Sequence, residues 1–213
     1  FISNKNSDKN KQILKNMLDK IAHRGPDDYG IYINKNINFG HRRLTVIDPE
    51  GGKQPMIYKS YKSKKDFVII YNGEIYNANK LRENLISLGE NFETKSDTEV
   101  VLKSYIYWGN DCPKYLDGIF AFAIFDEVNN KVFLARDRFG IKPLFYYYNR
   151  EKNDFVFASE IKSILEFPDV SRKVDREGLC EILAIGPART FGNGIFKDIK
   201  ELEPSHFRSE ERR

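Results

Sequence analysis

Cysteine and long apolar runs are both scarce in this sequence of 213 residues. Its two cysteines, Cys112 and Cys180, stand at no zinc-ligand spacing, which argues against a zinc site and indicates reduced, structural thiols. The longest apolar run, GIFAFAIF at 118–125, is strand length and far short of the roughly 20 residues that span a bilayer. The N-terminal stretch FISNKNSDKNKQ has no apolar signal core. We therefore expect a cytoplasmic protein with no membrane partner.

An excess of charge of one sign is also missing. Lys and Arg total 35 against 31 Asp and Glu, and the net charge of +4 is too small to indicate a nucleic-acid partner by itself. The lysine-rich stretch YKSYKSKK at 58–65 is most simply a solvated hairpin tip. A basic nucleic-acid-binding surface over Lys59–Lys65 is the weaker alternative. With 40% hydrophobic residues, the composition predicts one globular domain with a sizeable core.

Apolar residues spaced by three and four predict four helices. They cover 9–23, a stretch through Leu81, Leu85 and Leu88 that ends at Gly89, a stretch from Ser96 onward, and 175–186. Ser96 followed by Glu99 predicts a reciprocal capping box. Asp175 is the predicted N-cap of the last helix, and Gly186 follows its end.

Alternating apolar residues predict antiparallel hairpins between these helices. The β-rich stretches are 30–48, 67–77, 119–137 and 144–160. The order is helix, hairpins, two helices, hairpins, helix. That order predicts a layered α+β domain, because a parallel sheet would need strands and helices in alternation.

The stretch YNGEIYN at 71–77 follows the apolar run FVII and has two interpretations. Asn and Gly together usually mark a turn, since both tolerate positive φ. The alternative is that Asn72 and Gly73 direct amide N–H groups at an anion, which requires partner residues elsewhere in the chain.

Such partners stand in several other motifs. The motifs are HRGPD at 23–27, HRRL at 41–44, NGEIYN at 72–77, SDTE at 96–99, GIFAFAIFD at 118–126, RDRFGIKPL at 136–144 and ASEIKS at 158–163. In this order they resemble the glutaminase domain of glutamine-dependent asparagine synthetases, a class II glutamine amidotransferase with the N-terminal-nucleophile hydrolase fold. The resemblance implies a four-layer αββα sandwich with two antiparallel sheets. It assigns 1–207 to this domain, leaves 208–213 as a charged tail, and places the synthetase domain outside the chain.

The resemblance also implies a reaction and a set of residues for it. The family hydrolyses glutamine to glutamate and ammonia through a cysteine thioester. Arg43 would bind the α-carboxylate with its guanidinium fork, and Asp97, assisted by Glu74, would bind the α-ammonium. The Asn72 side-chain amide and the Gly73 backbone N–H would form the oxyanion hole. Without the resemblance, Arg43 would be assigned to a surface ion pair and Asp97 to the helix dipole.

The family's nucleophile is a cysteine at the mature N-terminus, whose own α-amine acts as general base. Phe1 and Ile2 align with the apolar pair that follows this cysteine and one further residue. We therefore expect the nucleophile ahead of Phe1, and the chain as given to be inactive. Cys112 and Cys180 cannot replace it, since neither has a free amine beside its thiol.

The resemblance finally implies partners and leaves alternatives open. No cofactor is expected in this domain, and ATP and Mg²⁺ are expected only in the synthetase domain, which would be the partner that receives ammonia. A homodimer stays open, and no nucleic-acid partner is expected. The alternatives are the glutaminase domain of another class II amidotransferase, and a glutamine-binding module that lacks the nucleophile.

Overall fold

The computed structural model describes residues 1–3, 7–35, 37–45, 48, 51–60, 64–186 and 190–211. Its helices are α1 (Ser7–Lys20), α2 (Ala78–Ser87), α3 (Asp97–Trp108), α4 (Ile161–Ile164) and α5 (Arg176–Ile185), with 3₁₀ turns at Ala22–Arg24 and Gly109–Lys114. Its strands are β1 (Asp28–Asn34), β2 (Ile37–Arg43), β3 (Met56–Lys59), β4 (Asp66–Ile75), β5 (Gly118–Asp126), β6 (Lys131–Arg136), β7 (Phe145–Asn149), β8 (Asp154–Ala158), β9 (Ile199–Glu201) and β10 (Phe207–Glu211). The four long helices and the predicted hairpins are thus confirmed.

The strands form two antiparallel sheets. The first has the order β10-β6-β5-β4-β3. The second consists of the pair β1-β2 and the triplet β8-β7-β9. Ile2 joins these two parts, because it forms antiparallel bridges to Ile37 of β2 and to Phe155 of β8. The start of the chain therefore lies in the middle of the second sheet.

Three apolar clusters separate four layers. One cluster lies between α1, α4 and the second sheet and includes Leu14, Met17 and Val156. Another fills the space between the two sheets, with members such as Phe39, Val68 and Leu134. The third packs α2 and α3 on the first sheet through residues such as Leu81, Val101 and Phe122. This order of layers is αββα, which confirms the predicted sandwich.

The start of α3 differs from the prediction in one half of its capping box. The Ser96 hydroxyl accepts from Thr98 N at 3.1 Å, as expected of an N-cap. The Glu99 carboxylate does not return to Ser96 but accepts from the backbone N–H groups of Glu93 and Thr94, at 2.9 and 2.7 Å. Ser96 N donates to Thr94 Oγ1 instead. Glu99 is thereby used to fix the segment that leads into the helix.

Asn72 and Gly73 lie inside β4, so the turn interpretation is wrong. They pair with Ala121 and Phe120 of β5. A Cβ atom on Gly73 would lie 2.3 Å from Ile119 O and 2.8 Å from Phe120 Cα. The close approach of β5 therefore requires glycine here.

Residues 207–211 correct the predicted charged tail, because they form β10 at the edge of the first sheet and pair with β6. Phe207 packs on Phe133 with ring centroids 5.3 Å apart, and the Arg208 guanidinium lies 4.6 Å from the Tyr146 ring centroid. The charge of this segment predicts a tail, because the sequence alone does not show that the Arg208 side chain packs on the Tyr146 ring. Residues 212–213 lie outside the described part of the chain. So do 61–63, which are part of the lysine-rich stretch at 58–65.

None of the described helices is long and apolar enough to cross a membrane.

The RDRFGIKPL motif has a structural role around Arg136, a residue that is 4% exposed. Arg136 Nη1 lies 2.9 Å from Glu201 Oε1. The same guanidinium donates to the backbone oxygens of Lys142, Leu202 and Gly140 at 2.6–2.7 Å. It therefore ties β6, the following loop and β9 together.

We predict that Arg136→Met lowers the free energy of unfolding by about 3–5 kcal/mol, because it leaves the Glu201 carboxylate buried without this cation. Urea unfolding of the variant and the wild-type chain measures the change. Arg150→Met, in the exposed turn between β7 and β8, is the matched control and should change stability by less than about 0.5 kcal/mol. Equal losses in the two variants would contradict this structural role.

Candidate active site

A pocket of about 550 Å³ lies where β2 of the second sheet faces β4 of the first. All five residues predicted for the site line it: Arg43, Asn72, Gly73, Glu74 and Asp97. Phe1 also lines the pocket, so the start of the chain reaches it. The structure thus brings together residues that are separated by more than 50 positions in the sequence.

Two polar side chains of β2 point toward the first sheet. Side chains alternate along a strand, and Phe39 packs between the sheets, so His41 and Arg43 share that face. Arg43 is 7% exposed, and its Nη2 donates to Asp48 O at 2.7 Å. The Asp48 carboxylate in turn accepts from Gly51 N and Lys95 N, each at 2.9 Å, and these bonds lower its pKa. Asp48 therefore links Arg43 to the segment that enters α3.

The HRGPD motif fixes the backbone on both sides of Arg43. A Cβ atom on Gly25 would lie 2.4 Å from Arg43 N, so only glycine allows this contact. Asp27 Oδ2 accepts from Thr45 N at 2.7 Å. Arg24 Nη1 lies 3.1 Å from Glu160 Oε1. The HRGPD motif therefore has a structural role beside the pocket.

Asn72 contributes an amide to the pocket. Even-numbered side chains of β4, such as Val68, face the second sheet, so Asn72 and Glu74 do the same. Asn72 Nδ2 is buried and has no hydrogen-bond partner among the described residues. A buried amide donor in this state has lost its water without replacement, which is costly. This donor is therefore available to an acceptor in the pocket.

Gly73 contributes a backbone N–H at the neighbouring position. The N–H and C=O of its partner Phe120 are both used on the other side of β5, with Asp137 Oδ2 at 3.2 Å and Asp137 N at 2.8 Å. Gly73 and Phe120 therefore form a non-hydrogen-bonded pair, and the Gly73 N–H points away from β5. It lies on the edge of β4 that β3 does not reach, since β3 pairs only with Asp66–Ile69.

The positions on either side of Gly73 along this edge are occupied. Tyr71 N donates to Gln54 Oε1 at 2.6 Å, and Tyr71 O accepts from Gln54 Nε2 and from His41 Nε2, both at 3.0 Å. Ile75 N donates to Asp97 Oδ2 at 3.3 Å. The N–H groups of the residues two positions before and after Gly73 on this edge are thus both used. The motifs did not indicate Gln54, because its role depends on where β3 stops.

Asp97 lies at the first position of α3 and is 8% exposed. Its Oδ2 also accepts from Tyr71 Oη at 2.7 Å. Burial and the nearby Asp97 charge raise the pKa of Tyr71, so this hydroxyl stays neutral and acts as a donor. Both bonds use Oδ2, while Oδ1 accepts no hydrogen bond from the described chain. Glu74 is exposed at the rim of the same pocket.

His41 is neutral at pH 7. Burial lowers its pKa to about 4, despite the opposing effect of its bond to Tyr71 O. Since a carbonyl oxygen only accepts, the proton of the neutral ring is on Nε2. No group of three His, Cys, Asp or Glu side chains in the described ranges could hold a metal ion. The expected absence of a cofactor stays a prediction.

The two cysteines lie away from the pocket. Cys112 is buried in the cluster under α3, and burial raises the pKa of its thiol. Cys180 is exposed on α5. Neither is among the residues that line the pocket, which agrees with the expectation that neither is a nucleophile.

Solved structures share this architecture. Glutamine phosphoribosylpyrophosphate amidotransferase from B. subtilis, complexed with ADP and GMP, aligns with a TM-score of 0.61 at 21% identity, over 94% of this chain and 46% of that chain. An allosteric regulatory enzyme of purine biosynthesis aligns with a TM-score of 0.61 at 24% identity, over 73% of this chain and 40% of that chain. The fold is that of the N-terminal-nucleophile hydrolases.

A family model described as glutamine amidotransferase domain matches residues 2–213, and the chain belongs to this family. Asparagine synthetase [glutamine-hydrolyzing] 3 of Bacillus subtilis (strain 168) is 52% identical over 196 residues, which are 92% of this chain and 31% of that protein. Asparagine synthetase [glutamine-hydrolyzing] 2 of the same strain is 39% identical over 199 residues, 92% of this chain and 26% of that protein. The chain thus spans a third or less of these relatives.

We predict that acid destabilises the protein partly through His41. Its pKa is about 4 in the folded state against 6.5 for the free side chain, so the unfolded chain binds the extra proton between these values. Stability is therefore retained above pH 6.5 and falls by roughly 2–3 kcal/mol as the pH drops to 4.5. Urea unfolding at both pH values should show a smaller fall for His41→Gln. Exposed His206→Gln is the control, and it should fall as the wild type does.

Proposed function

We propose that this chain is the glutaminase domain of an asparagine synthetase, which hydrolyses glutamine to glutamate and ammonia. The observation that carries the proposal is the pair of donors at Asn72 Nδ2 and Gly73 N in one pocket with Arg43 and Asp97. The names of the glutamine-hydrolysing asparagine synthetases support glutamine as the substrate and asparagine synthesis as the use of the ammonia. Aspartate and ATP would be the other reactants, as the resemblance implies.

Arg43 and Asp97 suit the two charged ends of a free amino acid. The Arg43 guanidinium is nearly buried, and a buried guanidinium binds a carboxylate strongly through two parallel hydrogen bonds. Asp97 keeps Oδ1 for an ammonium group, with Glu74 at the rim as a second carboxylate. We therefore assign the α-carboxylate to Arg43 and the α-ammonium to Asp97 and Glu74.

Asn72 and Gly73 suit the oxygen of the tetrahedral intermediate. Attack of a thiolate on the side-chain amide carbon forms a C–S bond and places negative charge on the carbonyl oxygen. Donors that are already oriented stabilise that charge without reorganisation. The intermediate collapses by releasing the protonated amide nitrogen as ammonia, and water then hydrolyses the thioester to glutamate.

We place the nucleophilic cysteine two residues ahead of Phe1. Phe1 N donates to Asn38 O at 2.6 Å, and Asn38 N donates to Phe1 O at 2.9 Å. This pairing is antiparallel, so residues ahead of Phe1 would run along β2 toward its end. In that register the second of them would lie opposite Gly40, next to His41 in sequence. Gly40 lines the pocket, so the nucleophile would lie along the pocket wall that β2 forms.

The remaining assignments follow from this proposal. The synthetase domain of the parent protein would receive the ammonia and would use ATP and Mg²⁺, while this domain would need no cofactor. We propose a cytoplasmic setting on the ground of two free thiols, Cys112 and Cys180. A homodimer stays a hypothesis. The glutaminase domain of another class II amidotransferase is the alternative, which the acceptor of the ammonia would decide.

We predict that the chain preceded by Cys-Gly, with a free amino terminus, releases ammonia from glutamine, whereas the chain preceded by Ser-Gly does not. The reason is that Cys-Gly supplies a thiolate with an adjacent amine, to which Arg43, Asn72, Gly73 and Asp97 would add the binding groups and the oxyanion donors. A coupled assay for ammonia measures both forms. If the Cys-Gly form is folded and inactive but binds glutamine, the domain is a glutamine-binding module and the proposal fails.

We predict that Asn72→Ala in the Cys-Gly form lowers kcat for glutamine by about 10²–10³, because one oxyanion donor is lost. KM should change little, since Arg43 and Asp97 still hold the charged groups. Asn84→Ala, at an exposed position of α2, is the matched control and should keep full activity. A normal kcat in Asn72→Ala would exclude Asn72 from the oxyanion hole.

A further inference from the structure

The edge of β4 changes its partner at one residue. β3 pairs with β4 from Lys59↔Asp66 to Met56↔Ile69. Continuing this register would place Gln54 opposite Tyr71 and Gly52 opposite Gly73. The pairing of β3 with β4 does not continue beyond Met56 and Ile69. The carboxamide of Gln54 takes over, accepting from Tyr71 N at 2.6 Å and donating to Tyr71 O at 3.0 Å.

The geometry points to Gln54 as a positioning residue that acts as the last rung of the β3-β4 ladder and leaves the next N–H, that of Gly73, open to the pocket. This inference rests on the proposed function, because it gives the Gly73 N–H the role of an oxyanion donor. A strand that continued in register would cover this N–H. If the side chain at position 54 made no hydrogen bonds to Tyr71, the backbone of Tyr71, and with it that of Asn72, would be held less rigidly.

Three further contacts fix the same unit. His41 Nε2 supplies a second donor to Tyr71 O at 3.0 Å, and a carbonyl oxygen can accept two hydrogen bonds. Gln54 Nε2 lies 3.4 Å from Thr98 Oγ1 in α3. On the second sheet, a Cβ atom on Gly30 would lie 2.1 Å from Gln54 O, so β1 packs directly on this backbone. Gln54 is therefore held from β1 and α3 while it holds β4.

Gln54 should affect the oxyanion donors and the groups that bind the charged ends of glutamine to different extents. The Gln54 carboxamide bonds to the Tyr71 backbone and to Thr98 Oγ1, whereas Asp97 is held by Ile75 N as well as by Tyr71 Oη. Loss of the Gln54 carboxamide should therefore disturb the oxyanion donors more than the groups that bind the charged ends of glutamine. Small displacements of such donors are costly in rate.

The first test is Gln54→Met in the Cys-Gly form. We expect kcat for glutamine to fall between about 10-fold and 100-fold, with KM changed less than about threefold. Gln12→Met is the matched control, since the Gln12 side chain is exposed on α1 and should leave both constants unchanged. A kcat within twofold of the wild type would overturn the inference.

The second test is the pH dependence of Gln54→Glu. If Gln54 served only the stability of the fold, Gln54→Glu and Gln54→Met would show the same dependence of kcat on pH. A protonated carboxyl offers one acceptor and one O–H donor, as the amide does, whereas the carboxylate opposes Tyr71 O. The ratio of its kcat to that of the wild type should therefore rise as the pH falls from 8 to 6, and Gln12→Glu should show a constant ratio. A flat ratio for Gln54→Glu would contradict this role.

Other titrating groups do not confuse this comparison. The charged and titratable side chains that line the pocket, besides Tyr71 itself, are His23, Arg24, His41, Arg42, Arg43, Glu74, Asp97 and Lys142. The pKa of His41 is about 4, below the range used. The remaining groups and the nucleophile are common to the wild type and the variant, so their effects cancel in the ratio.

A readout without activity separates this inference from the proposed function. Hydrogen exchange of the Tyr71 amide should become at least about tenfold faster in Gln54→Met, while the Asn72 amide, which points to β5, should keep its rate. Unchanged exchange at Tyr71 would overturn the inference even if the enzyme is active. Absence of ammonia release by the wild-type Cys-Gly form would overturn the proposed function, whatever exchange shows.

Discussion

The edge of β4 that β3 leaves uncovered is the constraint on which the site depends. A strand inside a sheet uses its backbone N–H and C=O groups in hydrogen bonds to both neighbouring strands. On one side, β4 pairs with β5 from Phe67 to Ile75. On the other side, the N–H groups of Tyr71, Gly73 and Ile75 have no β3 partner. Gln54 satisfies Tyr71 and Asp97 satisfies Ile75, so Gly73 between them keeps a donor that faces the pocket. The same hydrogen bonds that stabilise the edge thus define the open position.

The second sheet supplies the opposite wall through the start of the chain. Ile2 bridges β2 and β8, and Phe1 exchanges hydrogen bonds with Asn38 of β2, so the first two residues are paired as in a strand. Phe1 is buried against Phe167, with ring centroids 5.3 Å apart. Residues ahead of it would therefore be directed along β2 with little freedom. A nucleophile that depends on a chain terminus needs such a support, because termini are otherwise mobile.

Local patterns in the sequence account for the elements, and motifs account for the pocket. The α+β order follows from the periodicities, and all five site residues, Arg43, Asn72, Gly73, Glu74 and Asp97, line one pocket as the resemblance implied. Their roles stay proposals. The α3 cap shows the limit of a local pattern, because the Glu99 carboxylate accepts from Glu93 N and Thr94 N and not from Ser96 N, the donor that the capping box predicts.

Features that depend on pairing between distant segments could not be predicted in this way. The charged residues of 207–211 hid an edge strand, because their cross-strand neighbours decide where Arg208 packs. Gln54 carried no signal of its own, since its partner Tyr71 is set by the register of β3 on β4. Gly73 was recognised, but the constraint on it comes from Ile119 of β5. In each case tertiary structure assigns a role that composition does not contain.

A crystal structure of the protein soaked with L-glutamine tests the proposed site most directly. We expect the side-chain amide oxygen to lie about 2.7–3.1 Å from both Asn72 Nδ2 and Gly73 N. We also expect the α-carboxylate on Arg43 and the α-ammonium on Asp97. Glutamine bound elsewhere, or with its amide turned away from β4, would show that the open edge of this strand is not the reactive end of the pocket.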